Sequence, residues 1–162
     1  MYVYSSMKRT HLFFISIGFL AFGIVGCKDD SKLNSHDFDT AEERVEVLKK
    51  EIKSFSPFEN AEFELFNVNG FSHSSQRLPG ASCLDYKFAI KLDPMRIDDW
   101  TKGMSKIEPE DYNDDWIKKI IKKNENDWKI QSEPEYYTRE NEDVTAIVHR
   151  AEGIIFKRVI TQ

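Results

Sequence analysis

The sequence predicts one small α+β domain, an antiparallel sheet of about four to five strands packed with about three helices, spanning residues 39–162. Three observations predict it. A capping box opens the domain, and a ten-residue stretch near its middle shows period-two alternation of large apolar side chains. Strand patterns also stand apart from helical ones: helix, two strands, two helices, then a meander.

The elements follow in chain order. Thr40-Ala41-Glu42-Glu43 puts a hydroxyl at the N-cap and a carboxylate three residues on, so each can satisfy a free backbone N–H. Val45, Leu48, Ile52 and Phe55 then recur at helical spacing until Pro57, which predicts an amphipathic helix of about four turns. Residues 61–69 read as a central strand, with Phe63 and Leu65 on one face and Phe66 and Val68 on the other. In residues 84–93, Leu84, Tyr86, Phe88, Ile90 and Leu92 alternate with Asp85, Lys87, Ala89, Lys91 and Asp93, which predicts one buried face and one facing water.

Asp93-Pro94 caps and starts a short helix that buries Ile97, Trp100 and Met104 and ends near Gly103. Asn113-Asp114-Asp115 opens another, with Trp116, Ile117, Ile120 and Ile121 inward; acids at its start and lysines beyond suit the helix dipole. A strand near Tyr136 and Tyr137 follows. Residues 144–150 and 154–160 close the chain as a hairpin around Ala151-Glu152-Gly153.

The N-terminus obeys other rules. Lys8 and Arg9 precede an uncharged 14-residue stretch, residues 12–25, whose length suits a signal-peptide core. A membrane-crossing helix needs about 20 apolar residues, so the stretch is short for a permanent span. It ends in Ile24-Val25-Gly26-Cys27, which resembles the lipobox of bacterial lipoproteins, and the resemblance covers residues 7–27. Met7-Lys8-Arg9 looks like a more usual start than Met1, so translation can begin at either methionine.

The resemblance implies that residues 1–26 are a cleaved signal peptide and that Cys27 carries lipid, which includes palmitate. It implies a cell-envelope protein on a bacterial membrane, the outer membrane where there is one, facing periplasm or exterior. Several acyl chains make such an anchor effectively permanent. Lys28-Asp29-Asp30 resembles a tag that sends lipoproteins to the outer face of the cell, and equally suits a charged linker. Residues 27–38 read as the lipidated cysteine and a flexible tether, with His36 solvated within it.

Charge narrows the partners. The leader holds two of the 23 basic residues and none of the 28 acidic ones, so the mature chain carries a formal charge of −7. An acidic, anchored domain is a poor partner for nucleic acid or anionic lipid surfaces and suits proteins, peptides, sugars or basic ligands, a protein or peptide above all. With Cys27 acylated, Cys83 has no disulfide partner, and its place at the start of a strand suggests a packed small hydrophobe.

Catalytic and metal motifs are absent from the pattern, so no cofactor, no metal and no enzymatic role are expected. Asp111-Tyr112-Asn113-Asp114-Asp115 opens like a calcium loop, but Trp116 replaces the turn glycine and Lys122 the bidentate glutamate, so the acids read as a helix cap. His73 and His149 cannot by themselves define a zinc site, and His149 is expected on the exposed face of the hairpin. Residues 70–82 join two strands through 13 residues, where hairpins usually use about two to five. Phe71, His73, Gln76 and Arg77 make this loop the candidate binding loop. The expected function is a membrane-anchored binding module of the envelope. An immunity-type protein that neutralises a toxin is one version, resting on analogy. The alternatives are a small envelope enzyme, using His73 for hydrolysis or Cys83 for thiol chemistry, and a structural envelope component.

Overall fold

The computed structural model describes residues 30–71, 83–108, 114–140 and 142–161. The signal peptide, Cys27, His73, Gln76, Arg77 and the start of the calcium-like motif lie outside the described residues.

In chain order the elements are β1 (Lys32–Asn34), α1 (Ala41–Glu51), β2 (Asn60–Asn67), β3 (Leu84–Lys91), α2 (Ile97–Thr101), β4 (Ser105–Ile107), α3 (Asp115–Ile121), β5 (Glu135–Arg139), β6 (Glu142–His149) and β7 (Ile154–Thr161). The strands form one sheet in the order β1-β2-β3-β7-β6-β5-β4. Every pairing is antiparallel. The α+β class with an antiparallel sheet and three α-helices is as expected. The strand count is not: seven strands are described where four to five were expected. The additional strands, β1 and β4, are three residues each and sit at the two edges.

Apolar side chains cover both faces of the sheet. Val45 and Leu48 of α1, with Ile97 and Trp100 of α2, pack on Phe63, Phe88, Ile90 and Ile155. Trp116, Ile117 and Ile120 of α3, with Trp128, pack on Ala89, Ile147, Ile154 and Phe156. The second face of β3 departs from the alternation at one position, Asp85, Lys87 and Lys91 being half-buried. Ala89 lies fully buried beneath the α3 cluster.

Local chemistry sets the boundaries. Glu43 N donates to Thr40 Oγ1 at 3.1 Å, and Thr40 N donates to the Glu43 carboxylate at 3.2 Å, which completes the capping box. The helix stops at Glu51, about three turns rather than four, because Ile52 takes up extended backbone. Phe55 therefore belongs to the following loop. Between β6 and β7, Gly153 has φ +66°, and a Cβ there would sit 2.0 Å from the Leu92 carbonyl oxygen. Leu92 N donates back to Gly153 O at 2.9 Å, so only glycine allows this approach.

Five further expectations need correction. Residues 32–38 are not a flexible tether: Lys32, Leu33 and Asn34 pair with Phe66, Leu65 and Glu64, and Ser35 is buried. His36 is held as well, with Nε2 3.1 Å from Ile120 O while Lys123 Nζ donates to His36 O. His149 is buried rather than exposed, edge-on to Phe156 with Nδ1 3.0 Å from Ser132 O. Cys83 is exposed rather than packed. At the start of α3, Asp114 occupies the N-cap position but makes no side-chain cap bond.

Candidate functional site

Two charged side chains are buried in the sheet, and they are treated very differently. Glu62 on β2 is fully buried. Arg44 Nε approaches its carboxylate at 3.2 Å, Asn124 Nδ2 donates at 2.6 Å, and Ser35 Oγ donates to its other oxygen. Arg44 also donates to Ala61 O at 2.9 Å and to Asn60 Oδ1 at 3.2 Å. β1 covers β2 only from Glu64 to Phe66, so the guanidinium takes the place of a strand partner where β1 has ended. The pairing satisfies the charge and ties α1 and the turn after β1 to the sheet.

Lys157 on β7 is 5% exposed. Its position follows from period two: Ile155, Lys157 and Val159 share the face that packs under α1 and α2. Phe88 is its register partner on β3 and Ala146 its partner on β6. The small side chain of Ala146 leaves space beside the lysine. Over it passes the chain beyond α1, where Phe55 packs edge-on against Trp100 at 5.4 Å. Trp100 is fixed in turn by Nε1 donating to Ser56 Oγ at 2.8 Å and by an edge contact with Phe88 at 6.5 Å.

These segments enclose a groove of about 280 Å³. Its walls are chiefly Phe55, Tyr86, Phe88, Trp100, Val144 and Val159. The Lys157 ammonium lies 5.5 Å from the centre of the Phe55 ring, a cation–π contact. Among the described residues no carboxylate or other acceptor engages it. Glu142 lines the groove too, but its carboxylate is taken by Arg139 at 3.1 Å. Burial lowers the Lys157 pKa to about 8; Arg139 pushes in the same direction and Glu142 opposes it. Methionine or isoleucine would fit the same register without that electrostatic cost. The arrangement is an apolar concavity with one lysine ammonium at its floor, the pattern of a small-ligand site.

The opposite face of the sheet spends its charges in pairs. Glu64 meets Lys119 at 2.6 Å and Lys87 at 3.4 Å. Burial pushes its carboxyl up, yet these two lysines together hold it below the usual carboxylate range. Arg158 grips Asp85 through two bonds of 2.9 Å. Among the described residues no group of three or more His, Cys, Asp or Glu side chains is placed to hold a metal ion.

Of the residues singled out from the sequence, Phe71 is half-buried, 6.1 Å from Tyr86, and its N–H donates to Asp30 O. It anchors the base of its loop. Cys83 contributes its carbonyl, which accepts from Val68 N. The structure brings neither residue to the Lys157 groove. Sequence reasoning missed the groove, although one signal was available: a lysine in phase with Ile155 and Val159 belongs on a buried face.

No family model matches this chain, and neither does any curated protein or solved structure.

Proposed function

We propose that the chain is a lipoprotein of a bacterial cell envelope, anchored through lipid on Cys27, whose domain binds a partner rather than transforming it. One observation carries the anchor: an uncharged 14-residue stretch after Lys8 and Arg9 that closes on Ile24-Val25-Gly26-Cys27. Among the described residues, which do not include the 12–25 stretch, no helix is long and apolar enough to cross a membrane.

The early start of the sheet sharpens this reading. Lys32 already pairs with Phe66, so only five residue steps separate it from Cys27. Fully extended, they span at most about 18 Å. The domain is then held against the membrane, with the β1 edge nearest the lipid. Phe71, at the start of the candidate binding loop, is bonded to Asp30 and so lies at the same end of the domain. Binding is supported by the Lys157 groove, whose unengaged cation has no proton-transfer partner within bonding distance among the described residues. The acidic domain suits a protein or peptide partner at that surface, and an immunity-type role is one version.

Growth on labelled palmitate tests the anchor. The wild-type chain is expected to take up label and to fractionate with membranes. Cys27→Ser should lose the label, and a variant that keeps it would contradict lipidation at this residue.

A further inference from the structure

We propose that the Lys157 groove is a binding site for a small apolar carboxylic acid, whose carboxylate pairs with the Lys157 ammonium and whose apolar body lies against Phe55 and Trp100. The proposal rests on the reading of the domain as a binder. It does not depend on the lipid anchor.

Size, shape and charge each constrain the occupant. A space of about 280 Å³ lies near the small end of ligand pockets and suits a molecule of roughly ten to fifteen non-hydrogen atoms. The walls are aromatic and aliphatic, so most of the ligand must be apolar. Lys157 supplies up to three donors and no acceptor, and it stands on the floor between Phe88 and Ala146. A ligand group reaching it must accept hydrogen bonds, and a negative one gains most, because a low-dielectric surrounding strengthens the attraction. The other charges that line the groove do not compete. Arg139 and Glu142 satisfy each other, while Lys53 sits over the Phe55 ring at 5.3 Å. Glu51, the remaining acid lining the groove, has an interaction of its own. Lys157 is mostly protonated at neutral pH, since its lowered pKa of about 8 still lies above 7.

Calorimetry on the full chain, purified from membranes in dodecyl maltoside, tests the idea at pH 7. The titrants are 3-phenylpropionate and its neutral counterpart 3-phenylpropan-1-ol, with octanoate and octan-1-ol run in parallel to tell a ring from an alkyl chain. At least one acid should bind about ten-fold more tightly than its alcohol, the expected advantage of a charge-assisted bond. Lys157→Met should erase that preference by weakening the acid far more than the alcohol, which loses at most a neutral hydrogen bond. Equal affinity for acid and alcohol, no binding of any of the four, or a preference that survives Lys157→Met would each overturn the proposal. The alcohol comparison needs only the wild-type chain, so it stands even if the variant folds poorly. Palmitate labelling is unaffected by any of these outcomes, so failure here and failure of the anchor are told apart.

Discussion

Glu62 and Lys157 are both buried within strands of the same sheet, on opposite faces, yet one is fully engaged and the other is not. Glu62 is met by an arginine, an asparagine and a serine from three other segments. Among the described residues Lys157 has the face of Phe55 beside it and feels Arg139 and Glu142 through space, with no hydrogen-bonded counter-charge. A buried charge with partners can act as a fixed joint. A buried charge without them lowers stability unless something arrives to pair with it. The difference separates what holds this fold from what the fold holds open.

Breaking the joint should have the largest effect. Arg44→Met leaves the Glu62 carboxylate buried without its counter-charge and should cost about 3–5 kcal/mol in urea denaturation. A loss within 1 kcal/mol of zero would mean the network contributes little, and the contrast with Lys157 would lapse.

The reciprocal change should move stability the other way. An unfolded lysine keeps its proton up to about 10.5, whereas Lys157 releases its proton near 8 when folded. Between those values the unfolded state binds more protons, so stability rises with pH across that window, and below pH 8 the full penalty remains. Lys157→Met should therefore stabilise the chain at pH 7 by about 2 kcal/mol. That figure is smaller than the whole shift implies, because the ammonium still opens onto groove water. The gain should shrink towards pH 10, and thermal unfolding at the two pH values measures it. Destabilisation at pH 7 would mean that the lysine has a partner.

Smaller effects sharpen the same picture. Trp100→Phe keeps an aromatic wall but removes the bond to buried Ser56, and should cost about 1–2 kcal/mol in chemical denaturation. Lys119→Ala removes the ion pair with Glu64, whose lysine is largely exposed, and should cost less than about 1 kcal/mol. If it cost as much as Arg44→Met, surface pairing and buried pairing would not differ in kind.

Legibility in the sequence follows the same physical division. Elements specified by their own side chains could be read: the Thr40 capping box, the alternation from Leu84 onward, and the closing hairpin around Gly153. β1 and β4 could not, because three-residue edge strands are defined by backbone pairing with a neighbour and bury little of their own. Burial of Ala89 and His149 was hidden for a related reason, since whether a helix covers the second face of a sheet depends on tertiary packing. His36 looked solvated because its contact, the Ile120 carbonyl, is 84 residues away. The groove draws on the end of α1, β3, α2, β5, β6 and β7, which no local window contains. Only its lysine was visible, as a charge in phase with Ile155 and Val159.

The most direct test of the unpaired cation is its own titration. Carbon-13 NMR of the Lys157 ε-carbon should give a pKa near 8 in the free protein, and saturating 3-phenylpropionate or octanoate should raise it by about one unit or more as the carboxylate pairs with the ammonium. A free-protein value near 10.5, or a value that neither acid moves, would contradict the account.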